Sequence, residues 1–266
     1  MDLLRAVILG IAQGATDFLP ISSSGHLVLV PWWLGWSESS LVFDTILRLG
    51  TLMAVLVYFW RDWPTHLRAA WTALRTRSVQ DPDARLLLYF MLGAIPAALA
   101  GLLLEDHLNP VFGAPWTVTV LLTVAAVVLA ASERARQTGQ TSSGITAPDA
   151  LVVGVAQPCA NLPGLSRLGS TIAAGMGRGL SRPDPVRLSL WLAVPILCGA
   201  GFIQGLDILL GNLIISHDTV TPVIAALVAA LIGGHLCIRF LLHLVQQQRL
   251  YGFAPGTQSL LVALLT

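Results

Sequence analysis

Apolar residues run almost without interruption through five stretches of the chain, roughly 43–60, 86–104, 116–132, 187–205 and 219–241. Each approaches or meets the ~20 residues that a helix needs to cross the hydrocarbon of a bilayer. A sixth stretch, about 250–266, is interrupted by Pro255 and Gly256. Two further segments, 3–36 and 149–180, begin apolar, break in the middle at Pro, Gly and polar residues, and then resume. Laid on one another without a gap, they pair Ala12-Gln13 with Ala156-Gln157, Asp17 with Asn161, Ser22 with Ser166, Ser23 with Arg167 and Gly25 with Gly169. The pattern reads as two copies of one element. Each copy is followed by three spans, an odd number, so the second copy enters the membrane from the opposite face, and the polar tips of both meet near the midplane.

The fold expected is therefore an all-α polytopic membrane protein with an inverted-topology repeat. It has about six full transmembrane helices plus two re-entrant helical hairpins. The whole chain, 1–266, forms one membrane domain of two repeats, about 1–132 and 149–266, joined by a cytoplasmic loop 133–148.

Composition agrees: 55% of residues are apolar and 11% charged, with a mean hydropathy of +0.75, against roughly 25% charged in an ordinary soluble domain. The first apolar stretch lacks the basic start and small-residue cleavage site of a signal peptide, and is expected to be retained. A net charge of +1 gives no reason to expect nucleic acid as a partner. All 15 basic residues are Arg, which excludes a Schiff-base Lys and a phosphate-loop Lys. The connection from Arg61 to Arg85 and that from Glu133 to Asp149 hold several Arg, whereas 105–115 and 206–218 hold none. Arg-rich connections are expected on the cytoplasmic side; Arg5 is the mild exception. Cys159, Cys198 and Cys237 are widely separated in apolar surroundings and read as small buried hydrophobes. Trp32, Trp33, Trp36, Trp60 and Trp63 read as an interfacial belt, and His66, His107, His217, His235 and His243 as interfacial or packing residues.

A carboxylate within apolar surroundings is costly and calls for a partner. For Asp17 the second break supplies Arg167, the one charged residue between Asp149 and Arg178. Around them lie Gln13, Ser22, Ser23, Ser24 and His26 in one break and Ser166, Ser170 and Thr171 in the other, with Gly25, Gly164 and Gly169 allowing close backbone approach. Hydroxyls, an Arg fork and the amides of a restarting helix together suit an anion, above all phosphate oxygens. A Ser and a His three residues apart suit activation of the serine, and the carboxylate suits either orienting the His or holding a divalent cation. The plainer alternatives are a structural ion pair for Asp17 and Arg167 and helix caps for Ser22 or Ser24.

The two breaks, QGATDFLPISSSGH and LPGLSRLGST, resemble the two signature motifs of the integral-membrane undecaprenyl pyrophosphate phosphatases, the bacitracin-resistance or BacA-type family. Those motifs are an (E/Q)xxxE pattern followed by a PxSSxGH-type run, and PGxSRSxxT. The segments FDTILRLGTLMAVLVYFWR and MLGAIPAALAGLLL are similar as well, so the likeness covers nearly the whole chain. It implies hydrolysis of a C55 polyprenyl pyrophosphate to the monophosphate carrier of cell-wall synthesis. It also implies a divalent cation, Mg²⁺ or Ca²⁺, as cofactor and a site in the bacterial cytoplasmic membrane open to the periplasm. By position, Gln13 and Asp17 fall on the acidic motif as metal ligands, and Ser23 and His26 on the catalytic run. Asp17 and Arg167 are then catalytic with them, and Gln13, Ser22, Ser24, Gly25, Gly164, Ser166, Ser170 and Thr171 are expected to bind substrate. Either Ser23 attacks with His26 as base, or His26 is itself the nucleophile. Two positions depart: Asp17 stands for Glu, and Leu168 for a second Ser, which would withdraw a donor from the phosphate pocket. A carrier for polyprenyl phosphate is the alternative from another functional class, and a member that has lost activity through Asp17 and Leu168 is a third. The sequence leaves a homodimer open.

Overall fold

In a computed structural model of the chain, residues 2–36, 40–112, 115–134, 145–162, 164–181, 183–210 and 220–246 are described, and among them no strand occurs. The order is α1 (Leu3–Asp17), α2 (Ser23–Trp33), α3 (Leu41–Tyr58), α4 (Trp63–Thr76), α5 (Pro82–Phe112), α6 (Pro115–Arg134) and α7 (Ala147–Ala156). A short 3₁₀ turn (Gln157–Asn161) then leads to α8 (Arg167–Gly177), α9 (Pro183–Leu209) and α10 (Val220–Gln246). By length and composition three helical stretches, Pro82–Ala100, Pro183–Ile203 and Val220–Gln246, suffice to cross a bilayer; a fourth is reached if Val42–Tyr58 is joined to Trp63–Thr76 across an 85° bend. Trp116–Ser132 is a shorter apolar helix, and the stretch 250–266 lies outside the described residues.

The two broken segments are hairpins closed at their open ends. Arg5 lies over the Trp36 ring, 5.1 Å from its centroid, and joins the start of α1 to the end of α2. Arg178 Nε donates to Asp149 Oδ1 at 3.0 Å and joins the end of α8 to the start of α7. The same Asp149 caps α7 through Thr146, whose backbone N–H donates to Asp149 Oδ2 at 3.1 Å. A helical segment whose two ends meet doubles back on itself.

Small residues let these hairpins bury their backbones against other helices. A Cβ on Gly10 of α1 would fall 2.5 Å from the Ala226 carbonyl of α10, and one on Gly14 would run into that of Ala230. On the other hairpin, Gly154 of α7 closes directly on Gly93 of α5. The packing is reciprocal: α1 and α3 lie against α10, α7 and α9 against α5, and α3 against α9. The main apolar cluster gathers Phe18, Val55, Leu168, Ile172, Leu192 and Ile238 behind the hairpin tips.

Several expectations change. The connection 61–85 contains α4, an amphipathic helix with Leu67, Trp71 and Leu74 exposed along one side and Ala69 buried. The second span, 86–104, extends past its apolar run, because α5 continues to Phe112. Trp63 is no belt residue: its Nε1–H donates to Leu56 O at 3.2 Å and its ring meets Trp191 at 4.7 Å. Cys198 is exposed, while Cys159 and Cys237 are half-buried. His66 packs edge-on to Trp191 at 4.7 Å and His235 against Tyr58 at 5.5 Å; the side chains of His107 and His217 lie outside the described set.

Candidate active site

The site forms where the tips of the hairpins touch. In the first, α1 stops ahead of Pro20, which has no N–H to continue a helix. The chain turns with Ile21 N–H donating to Leu19 O at 2.7 Å, and Ser22 takes a left-handed φ of 66°. Ser22 Oγ then accepts from Gly25 N at 3.4 Å and starts α2. In the second, the 3₁₀ turn ends in extended backbone at Leu162, Gly164 takes a φ of 103°, and Ser166 Oγ accepts from Gly169 N at 3.0 Å to start α8. Two helix N-termini are thereby presented at one place. Their first-turn amides, which no helical carbonyl can satisfy, favour negative charge.

Contact between the tips is close. A Cβ on Gly25 would fall 3.3 Å from Gly164 Cα, one on Gly169 would fall 3.7 Å from Pro20 Cβ, and Ser22 Oγ donates to Leu165 O at 3.4 Å. Across this junction Arg167 Nη2 donates to Asp17 Oδ1 at 3.3 Å. The side chains are 13% and 12% exposed, so the pair is sheltered yet reachable. The same Oδ1 accepts from Ser23 Oγ at 3.2 Å. Asp17 Oδ2 and Gln13 Oε1 are buried oxygens with no partner among the described residues. They belong to residues four apart on α1, the spacing that puts side chains on one helix face.

His26 Nδ1 lies 2.7 Å from the Ser22 carbonyl. A carbonyl only accepts, so Nδ1 carries the proton, and in the neutral form of the ring the lone pair is on Nε2.

The structure thus brings Asp17, Ser23, Arg167 and the glycines 25 and 164 to one junction, with Gln13 one turn back on α1 and His26 in the first turn of α2. Ser23 is bonded to Asp17, and His26 to a backbone carbonyl, so each has a partner other than the one a Ser–His pair requires. Ser22 and Ser166 are helix caps; Ser24 lies 3.3 Å from Ser22 Oγ, and Ser170 is half-buried in the first turn of α8. Thr171 faces away from the junction: fully buried, its Oγ1 lies 2.8 Å from Arg167 O and 2.6 Å from Ser189 Oγ on α9. Leu168 withdraws nothing from the pocket, because its side chain is in the main apolar cluster. Ser189 was not legible in advance. Gln157, which aligns with Gln13 in the gapless pairing, is also buried with a bare Oε1, its Nε2 donating to Gly93 O at 3.2 Å. The aligned Gln pair was the signal for it.

Among the described residues no group of three or more His, Cys, Asp and Glu is placed to hold a metal ion. The two bare oxygens of Gln13 and Asp17 are of the type that hard divalent cations prefer.

Residues 6–257 match the family model described as bacitracin resistance protein BacA. The chain is similar to proteins named undecaprenyl-diphosphatase. That of Gemmatimonas aurantiaca is 36% identical over 254 residues, 96% of this chain and 93% of the relative. That of Elusimicrobium minutum is 37% identical over 270 residues and all of both chains. That of Thermomicrobium roseum is 39% identical over 276 residues, 98% of each.

Proposed function

The chain belongs to the bacitracin resistance protein BacA family, and we propose that it hydrolyses undecaprenyl diphosphate to undecaprenyl phosphate and inorganic phosphate. The observation that carries this reading is the Asp17–Arg167 contact at 3.3 Å between two helix-starting tips. A guanidinium, two helix N-termini and two bare carbonyl-type oxygens converge there. Such a set suits phosphoryl transfer, which depends chiefly on positioning and on neutralising charge.

A divalent cation held by Asp17 Oδ2 and Gln13 Oε1 would offset phosphate charge and polarise the scissile bond. Arg167 binds the oxygens of the terminal phosphoryl group, joined by the first-turn amides of α2 and α8. Of the two nucleophiles, the geometry favours His26, since its Nε2 lone pair is free while the Ser23 proton is directed at Asp17. Nε2 attacks the terminal phosphorus, and the bond to the bridging oxygen breaks with its electron pair going to the lipid phosphate. Water then attacks the phosphohistidine, releasing inorganic phosphate and restoring the ring. Ser23 orients Asp17 and lends its hydroxyl to the phosphoryl oxygens. Thr171 and Ser189 hold the first turn of α8, and so Arg167, in place.

The finer architecture belongs to the same reading. Two inverted repeats, about 1–132 and 149–266, make one membrane domain joined by 133–148; the reciprocal packing of α1 on α10 and α7 on α5, and the closed base of each hairpin, support it. The Arg-rich connections support a reading in which the first hairpin's mouth opens to the periplasmic side of the cytoplasmic membrane. The carrier alternative draws no support from relatives named for hydrolysis.

The test is release of inorganic phosphate from a prenyl diphosphate by the purified protein in detergent with Mg²⁺ or Ca²⁺. Release that disappears in Arg167→Ala and His26→Ala supports the enzyme. Binding of prenyl phosphate without release under any metal condition overturns it.

A further inference from the structure

Arg48 lies within the apolar helix α3, about 12 Å from its Ser40 end at about 1.5 Å per residue. A cation at membrane depth costs about 2.5–3.5 kcal/mol on insertion scales, and it is retained where it pairs or works. Among the described residues Arg48 takes part in none of the ion pairs Asp17–Arg167, Asp149–Arg178 and His66–Asp83, and Asp44, one turn earlier on α3, is itself engaged.

Its neighbours fix its direction. Leu47 packs with Ala6 and Leu9 of α1, and Leu49 reaches Gly201 of α9, where a Cβ would fall 2.7 Å from Leu49 Cδ2. Arg48 lies between these two on the helical wheel and so points into the gap between α1 and α9. Thr51 and Val55, on the same face at three and seven residues further, are fully buried, whereas Met53 and Val57 on the opposite side are 44% and 48% exposed. Arg48 itself is only partly buried. Arg48 is thus on the inward face of α3 and still partly accessible.

Its depth follows from α10. Gly14 of α1 and Gly50 of α3 both close on Ala230, which puts them at one level. The two helices run the same way, from the shared cluster of Ala6, Leu9, Phe43 and Leu47 to Phe18 and Ala54, which both meet Gly234. Arg48, two residues before Gly50, is therefore within about 2 Å of the level of Gln13, one residue before Gly14. Side chains on a helix lean toward its N-terminus, so the guanidinium is carried toward the mouth of the first hairpin and away from the deeper Asp17–Arg167 contact.

We propose that Arg48 is a substrate-binding residue that holds the phosphate remaining on the lipid, while Arg167 holds the one removed. The proposal rests on the phosphatase reading and deepens it. It adds a second guanidinium to a site whose Arg167 is already charge-matched by Asp17.

The experiment compares the purified wild-type protein with Arg48→Gln and Arg48→Lys, each checked for an unchanged size-exclusion profile. Three quantities are read: steady-state phosphate release from a prenyl diphosphate, inhibition by the prenyl monophosphate, and inhibition by inorganic phosphate. Arg48→Gln should raise KM and the monophosphate inhibition constant together by about tenfold, as expected for a charged hydrogen bond, with kcat within about threefold. The inorganic-phosphate constant should not move, and Arg48→Lys should recover most of the loss. Unchanged KM and monophosphate inhibition overturn the proposal, as does a fall in kcat alone or an equal loss for inorganic phosphate. A wild-type protein that releases no phosphate overturns the phosphatase reading instead, and equilibrium binding of the monophosphate to wild type and Arg48→Gln then decides Arg48 separately.

Discussion

Asp17 Oδ1 receives Arg167 Nη2 at 3.3 Å from a residue 150 positions away and Ser23 Oγ at 3.2 Å from its own hairpin, while Oδ2 stays buried and bare. One carboxylate oxygen thus ties the two hairpins together and the other is left to accept. Both occupied contacts are long for charge-assisted bonds, which mostly fall near 2.7–2.9 Å. The arrangement is loose enough to be rearranged by an anion or cation entering between the groups.

Removing the guanidinium tests the electrostatic part of the mechanism. Arg167→Ala should lower kcat by about 10²–10³, the range for loss of one donor that stabilises developing charge. Arg167→Lys should recover part of it, because an ammonium lacks the planar fork that grips two oxygens. Phosphate release under saturating substrate checks this, and a fully active Arg167→Ala would remove Arg167 from the chemistry.

Asp17→Glu adds one methylene to the side chain that stops short of its partners. The longer arm should shorten both contacts of Oδ1 and bring the second oxygen nearer to Gln13 Oε1, so turnover should rise and half-saturation by the divalent cation should fall. A cation titration of phosphate release for both proteins reads the two effects. A lower turnover would show that the pocket is built around the shorter acid.

Much of this was legible in the sequence because polar residues stand out against an apolar background. Pro20, Ser22 and Gly25, and Gly164 and Ser166, mark the tips, and the lone charge in each break made Asp17 and Arg167 partners once the tips were brought together. What was not legible is which way each hydroxyl points. Ser22 and Ser166 cap helices, and Thr171 turns to Ser189 on α9, since an isolated run of Ser and Thr does not say which face the restarting helix will bury. Leu168 misled for the same reason: its place in the motif says pocket, but its face of α8 says core. Helix α4 was hidden in an Arg-rich connection because it is amphipathic, and Arg48 because one charge in a long apolar run reads as noise until its neighbours are known.

Gly164 is required by its backbone. Its φ is 103°, and a Cβ there would fall 2.5 Å from Val118 O. Gly164→Ala should therefore destabilise the second tip by about 1–3 kcal/mol, the cost of a side chain in a sparsely populated backbone region, and should reduce phosphate release in proportion. Gly177→Ala, where a Cβ meets nothing within 4 Å, is the control and should behave as wild type. Thermal unfolding in detergent separates lost fold from lost activity. Equal melting of the two variants would contradict the tip geometry.

The bare oxygens of Gln13 and Asp17 lead to a prediction about cations. Chelation should abolish phosphate release and either Mg²⁺ or Ca²⁺ should restore it. Gln13→Ala, which removes one neutral oxygen and leaves the carboxylate, should raise the half-saturating cation concentration by about tenfold, or roughly 1.4 kcal/mol, with maximal rate largely kept. Direct binding of Mn²⁺ as a spectroscopic probe should weaken by the same factor. Activity indifferent to chelators would end the metal reading, and loss of rate without a change in cation dependence would make Gln13 a packing residue.

The nucleophile is the sharpest point at which geometry selects between readings of one motif. With Nδ1–H fixed on Ser22 O at 2.7 Å, the ring can rotate little, and Nε2 is the one nitrogen free to attack. Ser23 would have to leave Asp17 and turn to His26 before it could be activated by that ring. Rapid quenching during turnover of a prenyl diphosphate labelled in its terminal phosphate should therefore trap label that survives base and is lost in acid, the lability of a phosphoramidate. That label should be absent from His26→Gln and present in Ser23→Ala, whose rate should fall by about tenfold, the scale of one lost hydrogen bond to an ionised group. Acid-stable label that vanishes in Ser23→Ala would instead make the serine the nucleophile, and would mean that the Ser23–Asp17 bond is exchanged for a Ser23–His26 bond once substrate is present. No label in any variant would point to direct attack by water, with Nε2 taking the water's proton.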